Sequence, residues 1–276
     1  MKHVSRRIAL TLCAAFGLAG AVQAAECTSP IAAKDLVEKG KLTMAVSPTL
    51  PPMAYADSTG KLMGLRIDLG DEIARRLCLE PSFVSTEYAT MVPGLKARRW
   101  DLIDAGLFVT PERLKILYMI PYESLAISAS TRPDDSSITK IEDLSGKTIS
   151  TEVSGYDAAK MRELNEEFKA KGLKPMTIQL FDNYATVFQA LRAGQVDAAV
   201  SIDPVAKQYQ DQGDFRQALS GMYATPGSLT FDNADFAATV EKVMEEMQAD
   251  GWLPALMEKY GVKPAAGGLK LDGPGL

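Results

Sequence analysis

Two stretches of this chain carry the same phrase. GLKARRWDLIDAG at 94–106 and ALRAGQVDAAVS at 190–201 share Leu-basic-Ala-x-x-apolar-Asp, with every shared position offset by 96. Each reads as the end of a helix running through a two-residue turn into a buried strand. A junction used twice implies one structural unit built twice, which constrains the fold more than any composition figure.

The flanking sequence agrees. KLTMAV (41–46) sets Leu42, Met44 and Val46 on one face, as a strand does. SPTLPPMAY follows, and its adjacent prolines forbid a helix, leaving a loop at the strand's carboxyl end. In IDLGDEIARRLCLE, Leu69, Ile73 and Leu77 recur at spacing four, and Asp68, Asp71 and Glu72 precede Arg75 and Arg76, the order a helix dipole favours. PSFVSTE reads as a second strand, 89–98 as a second helix and DLIDAGLFV as a third strand. A break is expected at Pro121, after which LAISAS reads as a strand leaving the first unit.

The series then restarts. GKTISTEV, MTIQLF and VDAAVSI read as strands, with helices over 156–171 and 183–192 between them. From 233 to 260, Phe236, Val240, Val243 and Met247 stand at helical spacing, followed by Gly251 and a second short helix. Alternating strands and helices imply an α/β fold of two mostly parallel sheets with helices on both faces. Ligands of such sheets bind at the strands' carboxyl ends. AAGGLKLDGPGL, from 265 onward, has few bulky residues and much glycine, and disorder is expected there.

The first residues read as a cleavable secretory signal over 1–24. Lys2, Arg6 and Arg7 precede an apolar run from Ile8 to Val22, and Val22-Gln23-Ala24 supplies small residues for cleavage. The run falls short of the ~20 residues that span a bilayer. Neither Cys13 nor Cys27 follows the small residue expected before a lipidated cysteine. Loss of this segment removes His3, the single histidine, and moves the formal charge from −5 to −8, because all 35 acidic residues are retained. A mature chain without histidine has no Ser-His-Asp triad, Cys-His pair or histidine-based zinc site. Its acidity also argues against nucleic-acid or anionic-membrane partners. No cofactor or metal is expected. Cys27 and Cys78 remain. In an oxidising compartment they pair and tie the new amino terminus to the end of the first helix, or else they stay as two buried thiols.

Arg113 is the first candidate for chemistry. Thr110 is a good N-cap and Pro111 suits the first helical position, so TPER reads as a helix start. At the end of a central strand facing a cleft, such a start offers free amides to an anion. Arg113 adds a planar fork that fits a carboxylate. On an ordinary surface helix it would be no more than a solvated charge.

SPTLPPMAYADSTGKLMGLRIDLGDEIARRL, MVPGLKARRWDLIDAGLFVTPERLK with PY at 121–122, EDLSGKTIS, ALRAGQVDAAV and MQADGWLPALMEKYGV, in that order and spacing, resemble the family 3 periplasmic solute-binding proteins of polar amino acid ABC transporters. The resemblance spans 42–262. It implies the type II two-lobed fold, with two mixed sheets joined by two hinge strands: one lobe from 25–126 plus 222–264, the other from 127–221. It also implies a small-molecule solute, permease subunits in the inner membrane as partners, a periplasmic location and a monomer.

Residue by residue, the resemblance places Arg113 as the carboxylate-binding arginine. It places Ala105 and Gly106 as small residues whose backbone approaches the ligand, and Tyr88 as a ring packed on it. In the second lobe the 153–157 loop, with Ser154 and Tyr156, would finish the carboxylate clamp. Three positions depart from the pattern. Phe108 stands where a hydroxyl is usual, and Leu50 where an aromatic residue is frequent. Ile202 occupies the place of the acid that pairs with a ligand ammonium, and Asp203 comes one residue late, a slip that turns a strand side chain to the other face. Either Asp203 swings back into the cleft, or Glu152 or Asp182 takes its role, or the ligand has no ammonium. An amino acid receptor is the leading expectation. A periplasmic dehydratase-like enzyme with Glu152 as general acid or base, and a sensory binding protein acting in trans, are the alternatives.

Overall fold

The duplicated phrase folds twice into the same junction. The computed structural model describes residues 27–276, so the signal segment read at 1–24 lies outside the described residues. The first unit opens with β1 (Lys41–Val46). The loop after it forms a small antiparallel sheet of β2 (Thr49–Leu50), β3 (Ala54–Ala56) and β4 (Leu62–Met63). Then come α1 (Leu65–Arg76), β5 (Glu80–Ser85), α2 (Tyr88–Lys96) and β6 (Leu102–Phe108). β1 pairs parallel with β5 on one side and β6 on the other. A four-residue helix, α3 (Pro111–Leu114), and the long β7 (Tyr118–Thr131) follow.

In the second unit, β8 (Thr148–Glu152), α4 (Tyr156–Ala170), β9 (Thr177–Phe181), α5 (Tyr184–Arg192) and β10 (Ala198–Ile202) repeat the arrangement. β8 now lies between β9 and β10, parallel to both. α6 (Asp203–Asp211), β11 (Arg216–Phe231), α7 (Ala234–Ala249) and α8 (Trp252–Tyr260) complete the chain's elements.

The repeated aspartate explains why the phrase recurs. Asp101 N–H donates to the Thr43 carbonyl (2.8 Å), and its carboxylate accepts from Thr43 N–H (2.7 Å). Asp197 makes the same clasp with Thr148, at 2.7 and 2.8 Å. Each aspartate thus closes the start of its strand onto the neighbouring strand, satisfying amides that the ladder leaves open. The preceding turn is equivalent too, with Arg98 at φ 53° and Gly194 at φ 71°.

The two mixed sheets meet along β7 and β11, which run antiparallel over most of their length. Hydrogen bonding is therefore continuous through eight strands in the order β5-β1-β6-β11-β7-β10-β8-β9. The break expected at Pro121 does not occur, because β7 runs through it. Proline has no N–H for the ladder, and the β11 register shifts opposite it, between Gly227 and Ser228.

The stretch from 265 onward departs from its expected disorder. Met119 and Asp272 exchange backbone hydrogen bonds (2.8 and 3.0 Å), Ala265 N–H donates to the Tyr122 carbonyl, and Leu271 is buried in the main core. These residues cover the flank of β7 that β10 does not reach, an edge otherwise open to pairing. Leu69 and Ile73 of α1, Leu77 at its C-cap, and Phe236, Val240, Val243 and Met247 of α7 are buried in that core, on the faces their spacing predicts. Cys27 and Cys78 form a disulfide with Cα atoms 5.5 Å apart. Among the described residues, no helix is long and apolar enough to cross a membrane.

Candidate functional site

At the carboxyl ends of β6, β8 and β10 lies a cavity lined from both units. Leu50, Tyr88, Ala105, Gly106 and Phe108 come from the first, and Glu152, Gly155, Tyr156, Asp157, Tyr184 and Ile202 from the second. Its volume is about 20 Å³, because the Phe108 and Tyr156 rings stack across it with centroids 4.5 Å apart. A larger cleft of about 1020 Å³ lies among α7, α8 and the 264–270 segment. Its lining comes from Tyr122 and from residues 241–270, with none from the second α/β unit.

Of the residues expected at the site, Leu50, Tyr88, Gly106, Phe108, Glu152 and Tyr156 converge on this cavity. Arg113 stands at its rim, half-buried. Its Nη1 donates to the Phe108 carbonyl (2.8 Å) and its Nη2 to the Tyr88 hydroxyl (3.1 Å). Thr110 caps the turn as read, accepting from Arg113 N–H. With only four residues, α3 supplies one turn's dipole, less than the full helix expected.

Two expected residues are elsewhere. Asp203 opens α6 and accepts from the Ser128 hydroxyl (2.5 Å) and Gly221 N–H (3.1 Å), tying β7 to β11 outside the cavity. β10 ends at Ile202 with that side chain on the cavity, and the turn into α6 carries Asp203 away. Ser154 is exposed at φ 63° on the loop, and Gly155 lines the cavity in its place. A Cβ on Gly155 would collide with Asp157 Oδ1, so glycine is what lets the loop lie this close.

Tyr184 was not anticipated, although the sequence holds its signal. The offset of 96 extends further back than the helix end: YAT at 88–90 recurs at 184–186. The two tyrosines occupy equivalent places and face the cavity from opposite units. Their partners differ in charge. The Tyr88 hydroxyl accepts from Arg113, whereas the Tyr184 hydroxyl donates to Asp157 Oδ2 (2.9 Å).

Asp157 also accepts from the Thr151 hydroxyl (2.6 Å) and Ala158 N–H (3.0 Å). Burial pushes its carboxyl above the usual range, and those hydrogen bonds pull it back. Glu152 is 2% exposed, and its Oε1 has no partner among the described residues. Burial raises its carboxyl well above the usual range. The charges of Asp157 and Glu87 add to this, and Arg66 opposes them.

Beneath Gly106 lies a buried cluster that the sequence did not announce. Arg66 Nη2 meets Glu123 Oε1 at 2.9 Å, and both side chains are fully buried. Asp104 and Tyr122 lie beside them, and burial carries the Asp104 carboxyl up to about 8. Gly106, at φ +60°, has no room for a Cβ, which would meet Arg66 Nη2 and Glu123 Oε1. The ion pair therefore fills the space under the cavity wall.

Two α/β units duplicated around paired crossing strands, with a cavity between them, describe a solute-capture architecture. Residues 42–263 match the bacterial extracellular solute-binding proteins, family 3. The chain belongs to that family. This family 3 protein is similar to the L-cystine-binding protein of Escherichia coli, 26% identical over 231 residues that cover 81% of this chain and 83% of the relative. It is also similar to the histidine-binding periplasmic protein of the same organism, 28% identical over 234 residues, 79% of this chain and 86% of the relative. Among solved structures, an ancestral arginine-binding protein bound to glutamine superposes with a TM-score of 0.73 at 28% identity, covering 80% of this chain and 98% of that one. The family's fold is the type II periplasmic-binding-protein fold expected from the motifs.

Proposed function

We propose that this family 3 protein is the periplasmic substrate-binding receptor of an ABC importer. It captures an amino acid or closely related small carboxylate between two closing lobes, 25–126 plus 222–264 and 127–221, and delivers it as a monomer to permease subunits in the inner membrane. The observation that supports this best is the Phe108–Tyr156 stack, one ring from each unit, over a cavity that both units line. Separating the rings opens the space, and a solute held between them bridges the lobes. The amino acid-binding relatives support the same class of ligand.

Arg113 supplies the carboxylate contact. It donates to two neutral acceptors, the Phe108 carbonyl and the Tyr88 hydroxyl. A carboxylate is the stronger acceptor and competes for the same fork. Two charge-assisted contacts contribute about 3–6 kcal/mol, against about 8 for micromolar binding.

Mass spectrometry of whatever co-purifies with the mature protein, followed by a thermal-shift panel of amino acids and simple carboxylates, identifies the solute. Arg113→Ala is expected to weaken every carboxylate ligand by at least about a hundredfold, roughly 3 kcal/mol, while the ligand-free protein keeps its melting temperature. Undiminished affinity in this variant would remove Arg113 from the site.

One observation favours a second reading. Burial against the cavity favours the protonated form of Glu152, as the general acid of a dehydratase-like enzyme requires. Turnover of prephenate or arogenate would establish that reading, and recovery of unchanged ligand supports the receptor.

A further inference from the structure

The cavity has an electrical axis. On the first-unit side Arg113 is held to two residues that line the cavity, Tyr88 and Phe108, while Arg66 lies behind Gly106, already paired with Glu123. On the second-unit side the charges are Glu152 and Asp157, and no lysine or arginine lines the wall. The two equivalent tyrosines mark the poles, one bonded to the cation and the other to an anion.

The acids at the second pole are not equivalent. Asp157 is satisfied by two hydroxyls and an amide. Glu152 is buried against the cavity, and its Oε1 finds no partner among the described residues. A buried carboxyl oxygen without a donor is costly, and a donor arriving through the cavity removes that cost. Isoleucine at 202 supplies no competing acid. Four aromatic rings, of Tyr88, Phe108, Tyr156 and Tyr184, complete the wall with faces that attract a cation.

Resting on the receptor reading above, we propose that Glu152, with Asp157 behind it, is the specificity-determining carboxylate that receives a cationic group of the solute, so that solutes with a charged far end are selected over their neutral isosteres. The groups facing Glu152 are Asp157 on α4, Tyr184 on α5, Glu87 and Tyr88 at the start of α2, and Arg66 on α1. Burial and two neighbouring acids favour the protonated form of Glu152, and Arg66 opposes them. An arriving guanidinium or ammonium reverses this balance. The Glu152 O–H bond breaks, its proton leaves to water, and the carboxylate accepts a hydrogen bond from the cation. One positive charge enters and one leaves. Affinity for a permanently charged solute therefore rises as pH increases toward the value at which the empty protein's Glu152 ionises.

Calorimetry on the mature protein tests this with paired probes: L-arginine against L-citrulline, which exchanges a guanidinium for a neutral urea, and L-lysine against L-norleucine. Titrations at pH 7 in buffers of different ionisation enthalpy count the protons released. The charged member of at least one pair is expected to bind ten times or more tighter than its neutral partner, with net proton release that the neutral partner lacks and with affinity increasing from pH 5 to pH 8. Glu152→Gln should abolish both the proton release and the preference, whereas the exposed Glu163→Gln keeps them. The wild-type comparison needs no variant, so a misfolded Glu152→Gln leaves the test intact. Equal affinities within both pairs, or a preference for the charged member that a folded Glu152→Gln retains, would overturn the inference while leaving the receptor in place. If no amino acid binds but a simple carboxylate does, the inference falls alone; if neither class binds, the receptor reading falls with it.

Discussion

Asp104 shows how one buried side chain ties the molecule's stability to pH. An unfolded aspartate ionises near 3.9. In the folded protein burial carries Asp104 to about 8, with Arg66 pulling it down and Glu123 pushing it further up. Between those values the folded chain holds a proton that the unfolded chain has released. Stability from this group is thus complete below about pH 4, falls as pH rises toward about 8, and levels off above. Asp104→Asn keeps a neutral, nearly isosteric group. The variant should gain on the wild type steadily from pH 5 to pH 8 in urea denaturation, and a constant difference across that range would refute the assignment. None of this was legible beforehand. Asp104, Arg66 and Glu123 are far apart in sequence, and only the fold brings them under Gly106. The turn that carries Arg113 was legible because a local motif, Thr110-Pro111, starts it, whereas Phe108 and Tyr88 entered only through the family resemblance. Asp203, one of the alternatives left open for a ligand ammonium, opens α6 because one residue decides whether a side chain belongs to a strand face or a helix start.

Among the elements, those with a clean period were legible and those without one were not. The strands and helices of both units follow alternation or helical spacing, and the structure places them within a few residues of their expected ends. β11 escaped notice because RQALSGMYATPGSLTF breaks alternation with two glycines and a proline, and its register shifts four times against β7. Residues 265–276 looked disordered because their order comes from a partner edge, which composition does not encode. The repeated helix-to-strand turn offers a matched test of backbone strain. Gly194 takes φ 71°, and a Cβ added there would meet nothing within 4 Å, so Gly194→Ala isolates the left-handed conformation itself. It should cost about 1–2 kcal/mol in the urea midpoint. Arg98, already at φ 53° in the equivalent turn, carries this cost in the native protein. Arg98→Gly should therefore recover less than Gly194→Ala loses, since added chain freedom in the unfolded state offsets the relief.

For the molecule as a whole, the two-unit plan was legible from one recurring phrase, while the way the units are fastened was not. The 263–272 segment forms part of the fastening: it pairs with β7 at Met119, Tyr122, Glu123 and Ser124 and buries Leu271. Removal of 265–276 should cost about 2 kcal/mol for the lost leucine burial alone, a fall of about 4–8 °C in melting temperature. It should also expose a strand edge, giving self-association visible by light scattering. A truncated protein as stable and monodisperse as the full chain would contradict this role.

The same segment limits where the molecule bends. On its outer flank β7 is held by 263–272 up to Ser124 and by β10 from Ile127 onward, which leaves Leu125 and Ala126 between two clamps. On the facing strand the pairing jumps from Met222 to Thr225 at the same level. If the lobes close as proposed, this two-residue swivel lets them turn without tearing any lateral backbone ladder. Opening then parts side-chain contacts, the Phe108–Tyr156 stack among them, and a solute held between the rings re-forms that stack through itself.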